Sequence, residues 1–185
     1  MKRAFIAIKI NPAESMLELI GDLKLQLKDE RIRWVDNKNI HLTVAFLGDR
    51  DEDELKQICK ITKGVCMGQA PFSLQFCGLG VFRNLKTPRV IWLGTLDSSA
   101  LETLAKSVRN KLREKSFFDE NKLFRPHLTL GRMKRIEDKD LFAEQIDYHR
   151  NTTVQKQVVD KIILYESILK PKGAEYHVLQ EFTFV

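Results

Sequence analysis

The chain of 185 residues has little cysteine, and what it has is unpaired in spacing: Cys59, Cys66 and Cys77 form an odd set with no CxxC motif. Neither a disulfide framework nor a thiolate zinc site is suggested, and buried free thiols are expected. Long hydrophobic runs are missing as well. The opening "MKRAFIAIKINP" has two basic residues and then a short apolar run broken by Lys9, too short and too polar for a secretion signal or a membrane span. A cytoplasmic protein with no membrane partner is expected. Glycine and proline are sparse, at 9 and 5, and no linker or low-complexity tract interrupts the chain. With 43% hydrophobic and 30% charged residues, this is the composition of an ordinary globular domain rather than a disordered or fibrous one. The length suits one domain, or two small lobes sharing one core. The net charge of +6 favours phosphate-rich partners without singling out nucleic acid.

Histidine is also scarce, and two of the four histidines begin the same tripeptide. His-Leu-Thr occurs in "IHLTVAFLG" from Ile40 and again in "PHLTLGR" from Pro126. The surroundings repeat in the same order. "AFIAIKI" reads as a strand, and Asn11-Pro12-Ala13-Glu14 as a helix start with Asn11 as N-cap, followed by Met16, Ile20, Leu23 and Leu27 at helical spacing. "NIHLTVAFLG" is a strand ended by Gly48, "DRDEDEL" opens a helix with Leu55, Ile58 and Cys59 on one face, and "FSLQFCGLGVF" is a third strand. From Arg89 the order recurs: strand "RVIWLGT", a helix with Leu101, Leu104, Ala105, Val108 and Leu112 on one face, strand "PHLTLGR", a weaker helix from Leu141 to Ile146, and strand "VVDKIILYESI".

The matched order implies an internal pseudo-repeat within one domain of residues 1–185. An α/β (α+β) fold is expected, bilobal and pseudo-twofold, with two βαβαβ-like lobes whose antiparallel-type sheets face a central cleft. Lobe 1 spans about residues 1–85 and lobe 2 about 86–185, and "AEYHVLQEFTFV" forms a last strand that completes a sheet. Few boundary signals separate the lobes, so they should move little as separate bodies.

Residues i and i+2 of a strand share a face, so His41 lies beside Thr43 and His127 beside Thr129, while Leu42, Val44, Leu128 and Leu130 face the helices. Pseudo-symmetry then gathers two imidazoles and two hydroxyls around one small volume, a set suited to a phosphodiester. A neutral imidazole takes a proton from an attacking oxygen and an imidazolium gives one to the leaving oxygen. The threonine hydroxyls donate to the non-bridging oxygens. Neither motif brings a carboxylate beside its histidine, so no metal and no cofactor are expected. His149 and His177 lack the motif and read as surface or structural residues, and Trp34 and Trp92 read as core aromatics.

The doubled HxTx, with "RWVDNKNIHLTVAFLG", "FRPHLTLGR", "PRVIWLG" and the ending "LYESILKPKGAEYHVLQEFTF", resembles the two-histidine phosphoesterase superfamily. Within it, the flanks are most similar to the bacterial and archaeal RNA 2',3'-cyclic phosphodiesterases, once called 2'-5' RNA ligases. The resemblance implies a LigT-like bilobal fold and metal-independent opening of a terminal 2',3'-cyclic phosphate to a 2'-phosphate, with reverse 2'-5' ligation a further activity. It makes His41 the proton donor to the departing 3'-oxygen and His127 the proton acceptor that activates water, with Thr43 and Thr129 holding phosphate oxygens. The symmetry of the motifs does not itself tell donor from acceptor. Arg132, five residues after His127, matches a basic position of the family and is a candidate phosphate ligand. Strict alternation puts Arg132 on the opposite face unless Gly131 provides a bulge or strand end. Phe46, its symmetry equivalent, offers a ring for base stacking or for the core. Arg125 and Phe82 are further cleft candidates.

The expected partner is RNA or a nucleotide ending in a 2',3'-cyclic phosphate, met by a monomer. Two other readings stay open on the sequence. One is a nucleotide-binding module without catalysis. The other keeps the enzyme but changes the substrate to 2'-5' oligonucleotides or small cyclic phosphates.

Overall fold

A computed structural model of the chain describes residues 1–119, 123–171 and 173–185. In chain order the strands and helices are β1 (Lys2–Lys9), α1 (Glu14–Gln26), β2 (Arg31–Trp34), a single 3-10 turn (Asn37–Asn39), β3 (His41–Arg50), α2 (Glu52–Cys66) and β4 (Phe72–Phe82). They continue with β5 (Val90–Leu96), α3 (Ser99–Arg113), β6 (Leu128–Arg135), α4 (Lys139–Tyr148), β7 (Thr153–Val159), β8 (Lys161–Lys170) and β9 (Gly173–Thr183). No described helix is long and apolar enough to cross a membrane.

All pairing among the described strands is antiparallel. The order across the sheet is β7-β4-β5-β6-β3-β1-β8-β9, with β2 paired to β6. The two histidine strands are therefore neighbours at the centre, joined through the single pair Leu42–Leu128, each the residue after its histidine. The sheet does not divide where the sequence repeats. β4 pairs with β5 and β7, whereas β8 carries the C-terminal hairpin back to β1. The two sides thus exchange strands, which interlocks them across one shared core.

That core lies between the sheet and the helices. Leu42, Val44, Leu128 and Leu130 are buried in it, as are Leu101, Leu104, Ala105, Val108 and Leu112 of α3. A smaller cluster of Phe5, Ala7, Ile163 and Tyr165, with Tyr176 against it, sits apart from the main core. Phe5 and Ala7 pair with Tyr165 and Ile163 on one side and with Phe46 and Thr43 of β3 on the other, which places this cluster on the sheet's other face.

Several local expectations change in three dimensions. Helix α2 starts with a capping box between Asp51 and Glu54, but α1 begins at Glu14 after Ala13 and has no side-chain cap. Instead of Asn11 capping it, the N–H groups of Asn11 and Ala13 donate to Gln157 and Gln155 of β7, over 3.1 and 2.7 Å. A tertiary contact has taken over the task of a local one. Gly48 does not end its strand, because β3 runs through it to Arg50 with Gly48 at φ 72°. The single strand expected at "VVDKIILYESI" is two, broken at Asp160 and placed far apart in the sheet. Strand β2, only four residues long, was too short to carry a periodic signal.

Candidate active site

Strands β3 and β6 each have an unmatched residue three places after the histidine. Thr43 pairs with Ala7 and Ala45 with Ile6, leaving Val44 extra, while Thr129 pairs with Trp92 and Gly131 with Ile91, leaving Leu130 extra. A bulge shifts the phase of alternation by one residue. The fifth residue after each histidine is thereby returned to the histidine's face, which brings Phe46 and Arg132 to the cleft. The extra residue on β6 is Leu130, one before the glycine the sequence pointed to. Gly131 has its own steric reason, since a Cβ there would lie 2.8 Å from Cγ2 of Ile32 on the adjoining β2.

Both imidazoles are mounted alike. The Nδ1–H of His41 donates to the carbonyl oxygen of Asn39, and the Nδ1–H of His127 to that of Arg125, each over 2.6 Å and each two residues back. A carbonyl only accepts, so each Nδ1 holds the hydrogen and each Nε2 is left for chemistry. Asn39 is itself pinned, its side-chain amide donating to the carbonyl of Ala174 on β9.

Aromatic rings flank each histidine. Phe5 and Tyr176 both lie 5.1 Å from the His41 ring, the tyrosine edge-on at 86°. Phe82 meets His127 edge-on at 4.6 Å, and Trp92 stands 6.5 Å away. Trp92 is thus a cleft residue rather than the core aromatic expected, because its partner in the ladder is Thr129. Trp34 packs partly on the core and also lines the cleft. Gly80 makes room for Trp92, since a Cβ there would fall 2.3 Å from the indole ring. The indole N–H is buried without a hydrogen-bond partner among the described residues.

Burial among these rings disfavours the imidazolium and lowers the pKa of both histidines, against the carbonyl hydrogen bonds that raise it. The Arg132 guanidinium lowers both further, and His127 adds its own repulsion at His41. The two imidazoles and Arg132 therefore sense one another as a group.

The cleft beside His41 measures about 830 Å³ and is lined by Phe5, Phe46, Arg132 and Tyr176, among others. A slightly larger hollow of about 910 Å³ lies between α2 and α3, but no histidine lines it. His41 lines the smaller one. Phe46 is 61% exposed there, so its ring is not part of the core. Thr43 and Thr129 are half-buried two residues beyond their histidines. Arg125 contributes its carbonyl to His127, and Phe82 its ring. His149 caps the end of α4 and His177 is exposed on β9, both away from the pair.

A family model of LigT-like phosphoesterases matches residues 7–92, which include the first motif. A protein of Methanocaldococcus jannaschii named RNA 2',3'-cyclic phosphodiesterase is 33% identical, over 97% of this chain and 99% of its own. One of the same name from Thermotoga maritima is 35% identical, over 98% and 95%. Among solved structures, a Thermus thermophilus protein superposes with a TM-score of 0.79 at 28% identity, covering 98% of this chain and 97% of that one. Escherichia coli LigT complexed with 3'-AMP gives 0.78 at 25% identity, covering 100% and 98%. With paired histidine mounts on adjoining strands and full-length likeness on both counts, the chain belongs to the LigT-like family of two-histidine phosphoesterases.

Proposed function

We propose that this protein opens the 2',3'-cyclic phosphate at the end of an RNA chain to a 2'-phosphate, using His41 and His127 as its acid and base. The observation that carries the reading is the matched pair of 2.6 Å Nδ1–carbonyl bonds, which leave two equivalent Nε2 atoms on neighbouring strands. In the hydrolytic step, Nε2 of His127 takes a proton from water as the water oxygen bonds to phosphorus. The bond from phosphorus to the 3'-oxygen breaks, and the Nε2–H of His41 protonates that oxygen. The product carries a 2'-phosphate and a free 3'-hydroxyl, and the two histidines have exchanged protonation states, to be reset by solvent. Thr43 and Thr129 donate to the non-bridging oxygens, Arg132 offsets their charge, and Phe46 stacks on the terminal base.

The names of the relatives support this substrate, and the 3'-AMP complex of Escherichia coli LigT supports a nucleotide in the cleft. The reading includes a monomer acting in the cytoplasm without metal. The test is incubation of the purified protein with 2',3'-cyclic nucleotides and cyclic-phosphate-ended RNA in EDTA, with products resolved by regiochemistry. Release of 2'-phosphate ends is expected. Tight nucleotide binding with no turnover would move the protein to the binding-module reading.

A further inference from the structure

Arg33 of β2 stands directly opposite Arg132 of β6 in their antiparallel ladder. Residues so paired point to one face with Cβ atoms about 5 Å apart, and like charges there repel. Both arginines are exposed and line the His41 cleft. Neither has an ion pair or a side-chain hydrogen bond among the described residues. The same hollow is lined by Arg3 of β1 and by Lys170 at the end of β8, whose ammonium lies 3.6 Å from Glu175. Its one carboxylate among the described residues, Asp36, is occupied by the N–H and ammonium of Lys38.

Three arginines against one committed carboxylate exceed what a cyclic phosphate, with its single negative charge, would neutralise. An unrelieved pair of opposed guanidiniums is a cost to the free protein that a bound anion removes. Arg132 has Val90 of β5 on one side and Arg33 on the other, so β2 lies along the edge of β6 that also meets β3, and Arg33 stands about 4.8 Å to that side of Arg132, in reach of a second anionic group beside the one Arg132 serves. We propose that Arg33 binds a second phosphate of the substrate, the linkage on the 5' side of the terminal nucleotide, so that the cleft reads an oligonucleotide rather than a mononucleotide end. Arg3 and Lys170 continue the basic wall along which the chain leaves. This rests on the cyclic-phosphate reading for the identity of the substrate.

The test compares a 2',3'-cyclic mononucleotide with an RNA trinucleotide ending in the same cyclic phosphate. In Arg33→Gln, the ratio of kcat/KM for the trinucleotide to that for the mononucleotide should fall about tenfold, and Arg33→Lys should recover part of it. The thermal midpoint of Arg33→Gln should equal or exceed that of the parent protein, because a repulsion has been removed. An unchanged ratio overturns the proposal, and so does a lowered midpoint with no recovery in Arg33→Lys. If the parent protein opens neither substrate, the catalytic reading fails by itself. Arg33 is then judged by binding of a fluorescent trinucleotide ending in a 2'-phosphate, followed by anisotropy across a salt series. The slope of log affinity against log salt should become shallower by about 0.7 in Arg33→Gln, the share of one phosphate on a single strand. An unchanged slope would end the idea.

Discussion

The Nε–H of Arg109, on α3, donates to the carbonyl oxygen of Val44 over 2.7 Å, and Val44 is the extra residue of the β3 bulge. The same guanidinium lies 5.1 Å from the ring centroid of Phe118 and 4.6 Å from that of Phe124. Phe124 leads directly into Arg125, whose carbonyl orients His127. One side chain thus touches the segment leaving His41 and the segment entering His127. On β6 the matching bulge carbonyl, that of Leu130, accepts from the backbone N–H of Val35 over 2.8 Å.

Arg109→Ala should therefore cost about 1–3 kcal/mol in urea unfolding, the penalty of a buried carbonyl left unsatisfied. It should also lower kcat more than it raises KM, because the histidines lose alignment while the cleft wall stays. Arg109→Lys should recover part of the stability. Parent-like unfolding and turnover in the alanine variant would remove Arg109 from this role.

His41→Ala and His127→Ala should each lose about 10²- to 10⁴-fold in kcat, the usual contribution of one general acid or base. The double variant should lose far less than the product of the two, since paired groups act as a unit. Thr43→Ala and Thr129→Ala should cost less than either. Single-turnover rates on a cyclic mononucleotide decide this, and near-parental rates in either histidine variant would remove the mechanism.

The pH dependence of kcat/KM should be bell-shaped, with limbs that belong to the coupled pair rather than to either residue. Burial lowers both histidines in the free protein, so the optimum should lie on the acid side of the ordinary histidine value of about 6.5. A bound phosphate favours imidazolium, so the kcat profile should sit at higher pH than the kcat/KM profile. Coincident profiles, or a kcat/KM optimum above about pH 6.5, would contradict that account.

The same shifts affect folding. An imidazole that protonates less readily when folded contributes stability that is full above the unfolded value of about 6.5 and is lost as pH falls through the folded value. Thermal midpoints should therefore drop as the solution is acidified below about pH 6.5, and His41→Ala should flatten the decline. A midpoint that rises on acidification over that range would show that other groups dominate.

Gly80→Ala should displace Trp92, because the new methyl would lie 2.3 Å from the indole. Overpacking of this kind costs about 1–3 kcal/mol, and the loss of the ring beside His127 should lower kcat as well. Unaltered tryptophan fluorescence together with parental turnover would show that β4 yields instead.

Two His-x-Thr motifs in equivalent places mark one face of two strands as polar, and apolar residues at helical spacing mark the buried faces of α2 and α3. Those patterns are local and survive in any arrangement that keeps the elements intact. Strand pairing, by contrast, rests on contacts between segments remote in the chain. Backbone hydrogen bonds carry no side-chain signature, so nothing in β4 announces β5 and β7 as neighbours, and nothing in "VVDKIILYESI" announces two destinations. The bulges at Val44 and Leu130 were hidden for a related reason: alternation predicts a face only while the ladder is unbroken, and one extra residue reverses it for everything downstream. Phe46 and Arg132 reach the cleft through that reversal, Trp92 reaches it because Thr129 is its ladder partner, and Arg33 reaches it because a four-residue strand happens to lie along β6.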